Sequence, residues 1–228
     1  MTVSESNRLV VFDCDGTLVD SQHHIAECMA TAFREHGLGA PPLGAVRAVV
    51  GLNLLEAVAR LVPPGAEQAV PGVTESYKKA FFALRQRPGA LEPLYEGAAA
   101  AIAALSDAGF ILGIATGKAR RGLEAVLAAH GLRQHIVTLQ TPDTAPGKPD
   151  PGMLHLAMAE VGASPSGTVM VGDTTFDVIM ARRAGVAAIG VAWGYHAPKA
   201  LQEAGAEAVI EHYDALPAAV AALIGARA

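Results

Sequence analysis

The 228-residue sequence predicts an α/β protein: a parallel sheet covered by helices on both faces, with an all-helical segment inserted after the first strand. Three observations lead there. The apolar run LVVF at residues 9–12 reads as a short buried strand. From Asp20 to about Gln86 only helical signals follow. From Pro88 onward strand and helix patterns alternate, the rhythm of parallel strands joined by helical crossovers. The reading divides the chain into a core of residues 1–18 and 91–228 and a helical cap of residues 19–90.

In order along the chain, strand 9–12 ends at the polar turn Asp13-Cys14-Asp15-Gly16. Ser21 caps a helix over 24–36 that Gly37 stops, and further helices are expected at 52–62 and 74–85. Pro41-Pro42, Pro63-Pro64-Gly65 and Pro71-Gly72 read as breaks between them. The alternating part gives a helix at 97–108, a strand at 110–115, a helix at 119–130 and a strand at 136–139. It continues with a helix at 151–161, a strand at 168–171, a helix at 176–184, strands at 187–191 and 208–210, and a terminal helix.

Composition excludes several classes. With 51% hydrophobic and 17% charged residues the chain is globular rather than disordered. A net charge of -5 and no basic run beyond residue pairs argue against a nucleic-acid partner. Two cysteines, Cys14 and Cys28, make neither a disulfide framework nor a metal-binding spacing, which fits a reducing, cytoplasmic setting. The first sixteen residues read as neither signal peptide nor membrane span, and no membrane association is expected.

In open α/β sheets the site lies at the carboxyl ends of the strands. Four polar positions follow strands here: Asp13-Cys14-Asp15-Gly16-Thr17, Thr116-Gly117-Lys118, Gly147-Lys148-Pro149, and Gly172-Asp173 with Asp177. Each alone has an ordinary explanation: a turn, a helix cap, a solvated loop lysine, an acid in a helix first turn. Asp173 resists it most, since a carboxylate ending an apolar strand is costly without a partner. Together, the four fall where one sheet would gather them. Carboxylates brought together repel, and Mg²⁺, with its preference for oxygen ligands, is the expected remedy.

On these motifs, in this order and with the helical insertion after the first, the sequence resembles the haloacid dehalogenase superfamily, in its phosphoglycolate-phosphatase-like branch with a helical cap. The resemblance covers essentially the whole chain and implies a Rossmann-like core. It implies that Asp13 is the nucleophile that takes up the phosphoryl group and Asp15 the general acid and base. Thr116, with neighbouring backbone amides such as that of Gly117, would hold the phosphoryl oxygens and Lys148 would neutralise their charge. Mg²⁺ would be held by Asp13, the Asp15 carbonyl and Asp173, with Asp177 in support.

The presence of Asp15 argues against a dehalogenase, and the absence of lysine from Gly51-Leu52-Asn53-Leu54-Leu55-Glu56 argues against a Schiff-base phosphonate cleaver. Leu54 stands where mutases of the β-phosphoglucomutase type tend to carry arginine, which favours a hydrolase over that alternative. A non-catalytic phospho-ligand module would need neither Asp13 nor Asp15. 2-Phosphoglycolate leads as substrate, with pyrophosphate, sugar phosphates and nucleotides as rivals. Selectivity is expected on residues 50–55, including Gly51 and Asn53. The partner is a small phosphorylated metabolite, and the chain a monomer or homodimer. Of the remaining features, Cys14 reads as buried, Lys118 as either a substrate contact or solvated, His23 and His24 as structural or cleft-facing, and His196 as a rim residue or a cap of the next helix.

Overall fold

The computed structural model describes residues 7–225, so the reading of the first six residues lies outside what it describes. Six parallel strands form one sheet in the order β3-β2-β1-β4-β5-β6. They are β1 (Asn7–Phe12), β2 (Ile111–Ala115), β3 (Ile136–Gln140), β4 (Ala163–Gly172), β5 (Ala187–Val191) and β6 (Ala208–Ile210). β1 is central, with Phe12 registered against Ile114 on one side and Val171 on the other. Sequence order reverses across β1, so the chain segments leaving β1, β2 and β4 emerge side by side at one edge.

Strand alternation divides the core. Val10 and Phe12 face a cluster completed by α5 (Ala98–Asp107), α6 (Arg120–Ala129) and α10 (Leu216–Gly225). Leu9 and Val11 face another, built with α7 (Gly152–Val161), α8 (Thr175–Arg183) and α9 (Pro198–Ala204). The β1 side chains from Leu9 to Phe12 are fully buried, as a central strand covered on both faces requires.

Between β1 and β2 the chain forms α1 (Gln22–Glu35), α2 (Leu43–Arg47), α3 (Leu54–Leu61) and α4 (Val70–Leu84). These helices bury their own apolar cluster, centred on Ile25, Met29, Phe33, Val46, Val58 and Val73. The Asn53 side chain caps α3 by accepting from the Glu56 amide at 2.9 Å. No described helix is long and apolar enough to cross a membrane.

The structure departs from the sequence reading at definite points. Pro71-Gly72, taken as a break, lies inside α4, where proline in the first turn costs no hydrogen bond. α2 and α9 were not expected; at five and seven residues they are too short to show a helical period. β4 begins at Ala163 rather than 168, because Gly162, at φ +67°, turns the chain directly from α7 into the strand. Its early residues, ASPSG, carry no apolar alternation to mark a strand, and their pairing with β1 shifts register between Asn7 and Leu9.

Candidate active site

Asp13 follows β1 directly, its amide donating to the Val171 carbonyl at 2.9 Å, which ties it to the end of β4. Asp173, just beyond β4, accepts from the Thr17 hydroxyl at 2.9 Å and from the Tyr195 amide at 2.9 Å. Asp177 sits in the first turn of α8, where its Oδ2 accepts from the Thr174 amide at 3.0 Å and hydroxyl at 2.7 Å. Its helix-capping role is therefore real, yet its other oxygen lies 2.6 Å from Lys148 Nζ. Lys148 also reaches Asp13 Oδ1 at 2.8 Å and is fully buried, so the solvated-loop explanation fails for this lysine.

Small residues permit this crowding. A Cβ on Gly16, whose φ is +85°, would lie 2.3 Å from Asp173 Oδ2, and one on Gly172 would lie 2.3 Å from Asp177 Cγ. The glycines beside the aspartates are therefore as much a part of the site as the carboxylates.

Burial is the dominant electrostatic fact. It pushes the Asp13 carboxyl up to about 7, with Lys148 opposing and Asp177 adding to the rise. Burial and then the charges of Asp13 and Asp177 hold Asp173 well above the usual carboxylate range. Burial works against the Lys148 ammonium, but Asp13 and Asp177 outweigh it and raise its pKa. Lys148 thus pairs with Asp13 and Asp177, and no ammonium is paired with Asp173 among the described residues. Ligand oxygens of Asp13, Asp173 and Asp177 all lie within 4.8 Å of one another, and Asp13 Oδ2 is buried with no hydrogen-bond partner among the described residues. An all-oxygen donor set with excess negative charge and an orphaned carboxylate oxygen fits Mg²⁺.

Thr116 lies beyond β2, its amide donating to the Gln140 carbonyl at 3.1 Å and its hydroxyl accepting from the Lys118 amide at 3.2 Å. It does not cap α6, whose N-cap position is Ala119. Gly117 meets the helical insertion closely: a Cβ there would lie 2.8 Å from the Leu52 carbonyl and 2.9 Å from that of Gly51. Asn53 approaches Gly147 in the same way, at 3.0 Å from its ideal Cβ. Gly51 and Asn53 therefore sit over the segments that carry Thr116 and Lys148.

Lys118 is neither solvated nor free. Its Nζ lies 2.8 Å from Asp15 Oδ1 and 2.7 Å from Glu92 Oε1, with the side chain only 6% exposed. Burial disfavours the ammonium, but the charges of Asp15 and Glu92 hold its pKa above the ordinary value. Glu92, 2% exposed, was missed in the sequence because nothing around it forms a motif. His23 is exposed and neither it nor His24 lines the cleft. His196 does not cap the next helix; its Nδ1 accepts from the Thr175 amide at 3.1 Å, at the start of α8. Trp193 donates from its indole to the Thr17 carbonyl at 3.1 Å. Cys14 and Cys28 are buried and unpaired, and burial raises both thiols, Cys28 to about 12.

An open parallel sheet with this polar cluster at the carboxyl ends of β1, β2 and β4 is the architecture of an α/β protein whose site lies at the strand ends. The family model described as haloacid dehalogenase-like hydrolase matches residues 10–191, and the chain belongs to that superfamily. It is 36% identical over 220 residues to a Dickeya dadantii protein named "Probable phosphatase IndB", covering 95% of this chain and 94% of the relative. It is 33% identical over 220 residues to a phosphoglycolate phosphatase of Cupriavidus necator, with the same coverage of 95% and 94%. Among solved structures it matches that of a predicted phosphoglycolate phosphatase from Haemophilus somnus 129pt with a TM-score of 0.83 at 21% identity, covering 93% of this chain and 97% of the other. That likeness supports the fold. With phosphatase-named relatives over nearly its full length, the chain is a phosphoric monoester hydrolase of the phosphoglycolate-phosphatase-like kind.

Proposed function

We propose that the protein hydrolyses the phosphate monoester of a small metabolite in a Mg²⁺-dependent reaction that passes through an aspartyl-phosphate on Asp13. The observation that carries this reading is the Asp13 carboxylate, with one oxygen held by the Cys14 amide at 2.7 Å and Lys148 at 2.8 Å, and the other buried without a hydrogen-bond partner. Such a group is oriented, dehydrated and directed into the cleft, as a nucleophile must be.

Asp13, the Asp15 carbonyl and Asp173 would hold Mg²⁺, with Asp177 in support, and the cation would supply charge neutralisation for the phosphoryl oxygens. The Thr116 hydroxyl and the amide of Gly117 would donate to those oxygens, and Lys148 would carry the compensating positive charge. Asp15 would protonate the departing alcohol and then accept a proton from the water that splits the acyl-phosphate. Lys118, whose Nζ donates to Asp15 Oδ1 at 2.8 Å, would hold that carboxylate in place.

The helical insertion, residues 19–90, acts as the cap, and Gly51 and Asn53 bring it down onto the two segments that hold the phosphoryl group. The name of the Cupriavidus necator relative supports 2-phosphoglycolate as substrate. Buried free cysteines accord with a reducing cytoplasm, and neither nucleic acid nor membrane is a partner in this reading. Monomer and homodimer are both compatible with a site built from one chain.

The test is phosphate release from 2-phosphoglycolate and p-nitrophenyl phosphate with Mg²⁺ and with a chelator. Magnesium-dependent release, with phosphate trapped on Asp13, supports the reading; metal-independent turnover or a label elsewhere overturns it.

A further inference from the structure

A cavity of about 1100 Å³ opens from the phosphoryl site, with Asp13, Asp15, Thr116 and Lys118 at one end and walls from α1, α3, α4 and α6. Pockets of about 300–1,000 Å³ suffice for drug-sized ligands, so a two-carbon acid would leave most of this space to water. The accessible wall is apolar: Val50, Leu54, Leu55, Tyr77, Phe81 and Phe82 line it. Leu55 is 55% exposed and Phe82 49%, a cost in water that an apolar ligand would remove.

The polar groups around the chamber are largely engaged with one another. Lys118 is held by Asp15 and Glu92, at 2.8 and 2.7 Å, and Lys78 by Glu75 at 2.6 Å. The Arg121 guanidinium lies 4.7 Å over the Phe82 ring. Asn53 Oδ1 accepts from the Glu56 amide, and the Thr74 hydroxyl donates to the Val70 carbonyl at 2.7 Å. A leaving group rich in hydroxyls or carboxylates would have to displace these bonds, with two arginines left for it: Arg85 at the α6 edge, near Gly122, and Arg121, which stacks on Phe82 without an ion pair among the described residues. A hydrocarbon chain or ring displaces only water.

We propose that the preferred substrates are phosphate monoesters whose alcohol carries an apolar chain or aromatic ring, seated between α3, α4 and α6. This rests on the phosphatase function proposed above, but departs from 2-phosphoglycolate as the preferred substrate and names another class that the same site would favour. Residues 50–55 contribute one wall, and the first half of the selectivity therefore comes from Val50, Leu54 and Leu55, the second from Phe81 and Phe82.

The experiment measures kcat/KM with Mg²⁺ for the straight-chain series from ethyl to hexyl phosphate, alongside benzyl phosphate, 2-phosphoglycolate, glucose 6-phosphate and p-nitrophenyl phosphate. Burying a methylene is expected to raise kcat/KM by about fourfold, and benzyl phosphate should exceed both 2-phosphoglycolate and glucose 6-phosphate. Leu55→Gln and Phe82→Gln, at exposed positions, should lower the ratio of hexyl to ethyl phosphate by at least about threefold within each variant. A flat or falling series with p-nitrophenyl phosphate still hydrolysed overturns this inference alone, as does a 2-phosphoglycolate value above every apolar ester. Hydrolysis of no ester at all overturns the phosphatase function, and this inference with it.

Discussion

Lys118 Nζ bridges Asp15 Oδ1 at 2.8 Å and Glu92 Oε1 at 2.7 Å, so one buried ammonium joins the acid/base candidate to a carboxylate on the segment between α4 and α5. All three side chains are nearly closed to solvent, with exposures of 6%, 12% and 3%. Removing the cation would leave two carboxylates buried together.

Lys118→Met should therefore lower the unfolding free energy by about 3–5 kcal/mol, the usual loss when one partner of a buried pair is deleted. Adding Glu92→Gln should recover part of that loss, because the second variant removes one of the stranded charges. Urea unfolding of the single and double variants decides the matter. A Lys118→Met protein as stable as the parent would show that the ammonium does not support the two carboxylates.

Stability should depend on pH with a sign opposite to that of most acids. Asp13, raised from 3.8 to about 7 by burial, and Asp173, raised well above 3.8, keep their protons in the folded chain after the unfolded chain has released them. Across the interval from 3.8 to about 7 the folded state binds more protons, so the contribution of these groups falls as pH rises, and the share from Asp13 is lost above about 7. In chelator, the thermal midpoint of the parent relative to Asp13→Asn should decline through this interval. Excess Mg²⁺ should abolish the decline, adding about 2.7 kcal/mol at a hundredfold excess over Kd. A relative midpoint that rises with pH would contradict the burial argument.

The legible and illegible parts of this molecule differ in range. The apolar run ending in Asp13 announces both a buried strand and a site at its end, since both facts are local. Asp173 and Asp177 are legible for the same reason, one closing an apolar strand and the other opening a helix. Glu92 is illegible because its significance lies in an ammonium 26 residues away, and no periodicity marks it. Lys118 is half legible: its place after Thr116 suggested the site, but its burial comes from contacts across the fold. The divided cap and core were inferred from where helical signals cluster, whereas α2 is too brief to give any signal.

Contact between the cap and the motif loops is tight enough to test by adding one methyl group. A Cβ on Gly117 would sit 2.8 Å from the Leu52 carbonyl, so Gly117→Ala must push the loop at residues 51–53 away from Thr116. An overpacking cost of about 1–3 kcal/mol is expected, appearing as a loss of roughly tenfold or more in kcat/KM. Gly44→Ala, where nothing lies within 4 Å of the new methyl, should leave turnover unchanged. Equal activities in the two variants would mean that closure of this contact is not needed for catalysis.

Metal identity should matter through geometry. Three carboxylates whose oxygens lie within 4.8 Å of one another would offer the same oxygen ligands to Ca²⁺ as to Mg²⁺. Ca²⁺ takes six to eight looser oxygen ligands, against the near-octahedral demand of Mg²⁺. Ca²⁺ is therefore expected to bind and to raise the thermal midpoint while supporting at least about tenfold less turnover. Turnover with Ca²⁺ equal to that with Mg²⁺ would remove coordination geometry from the account.

The roles of the two aspartates of the first motif can be separated by leaving-group chemistry. Asp13→Asn keeps nearly the same size while removing the attacking carboxylate, so covalent labelling and turnover should both disappear, a fall of at least about 10³-fold. Asp15→Asn leaves Asp13 in place but cannot protonate a departing alcohol. It should still form the acyl-phosphate from p-nitrophenyl phosphate, whose leaving group needs little protonation, and fail with an alkyl ester. Breakdown of the intermediate should slow as well, because the attacking water loses its base, so phosphate should accumulate on Asp13. Lys118, which holds Asp15 at 2.8 Å, can still hydrogen-bond the amide oxygen, so the substitution tests chemistry more than placement. Trapping both variants by mass spectrometry with one good and one poor leaving group gives the answer. Phosphate found on the Asp13→Asn protein, or identical failure of both variants with every ester while folded and metal-bound, would exclude the assignment of Asp13 as nucleophile and Asp15 as acid and base.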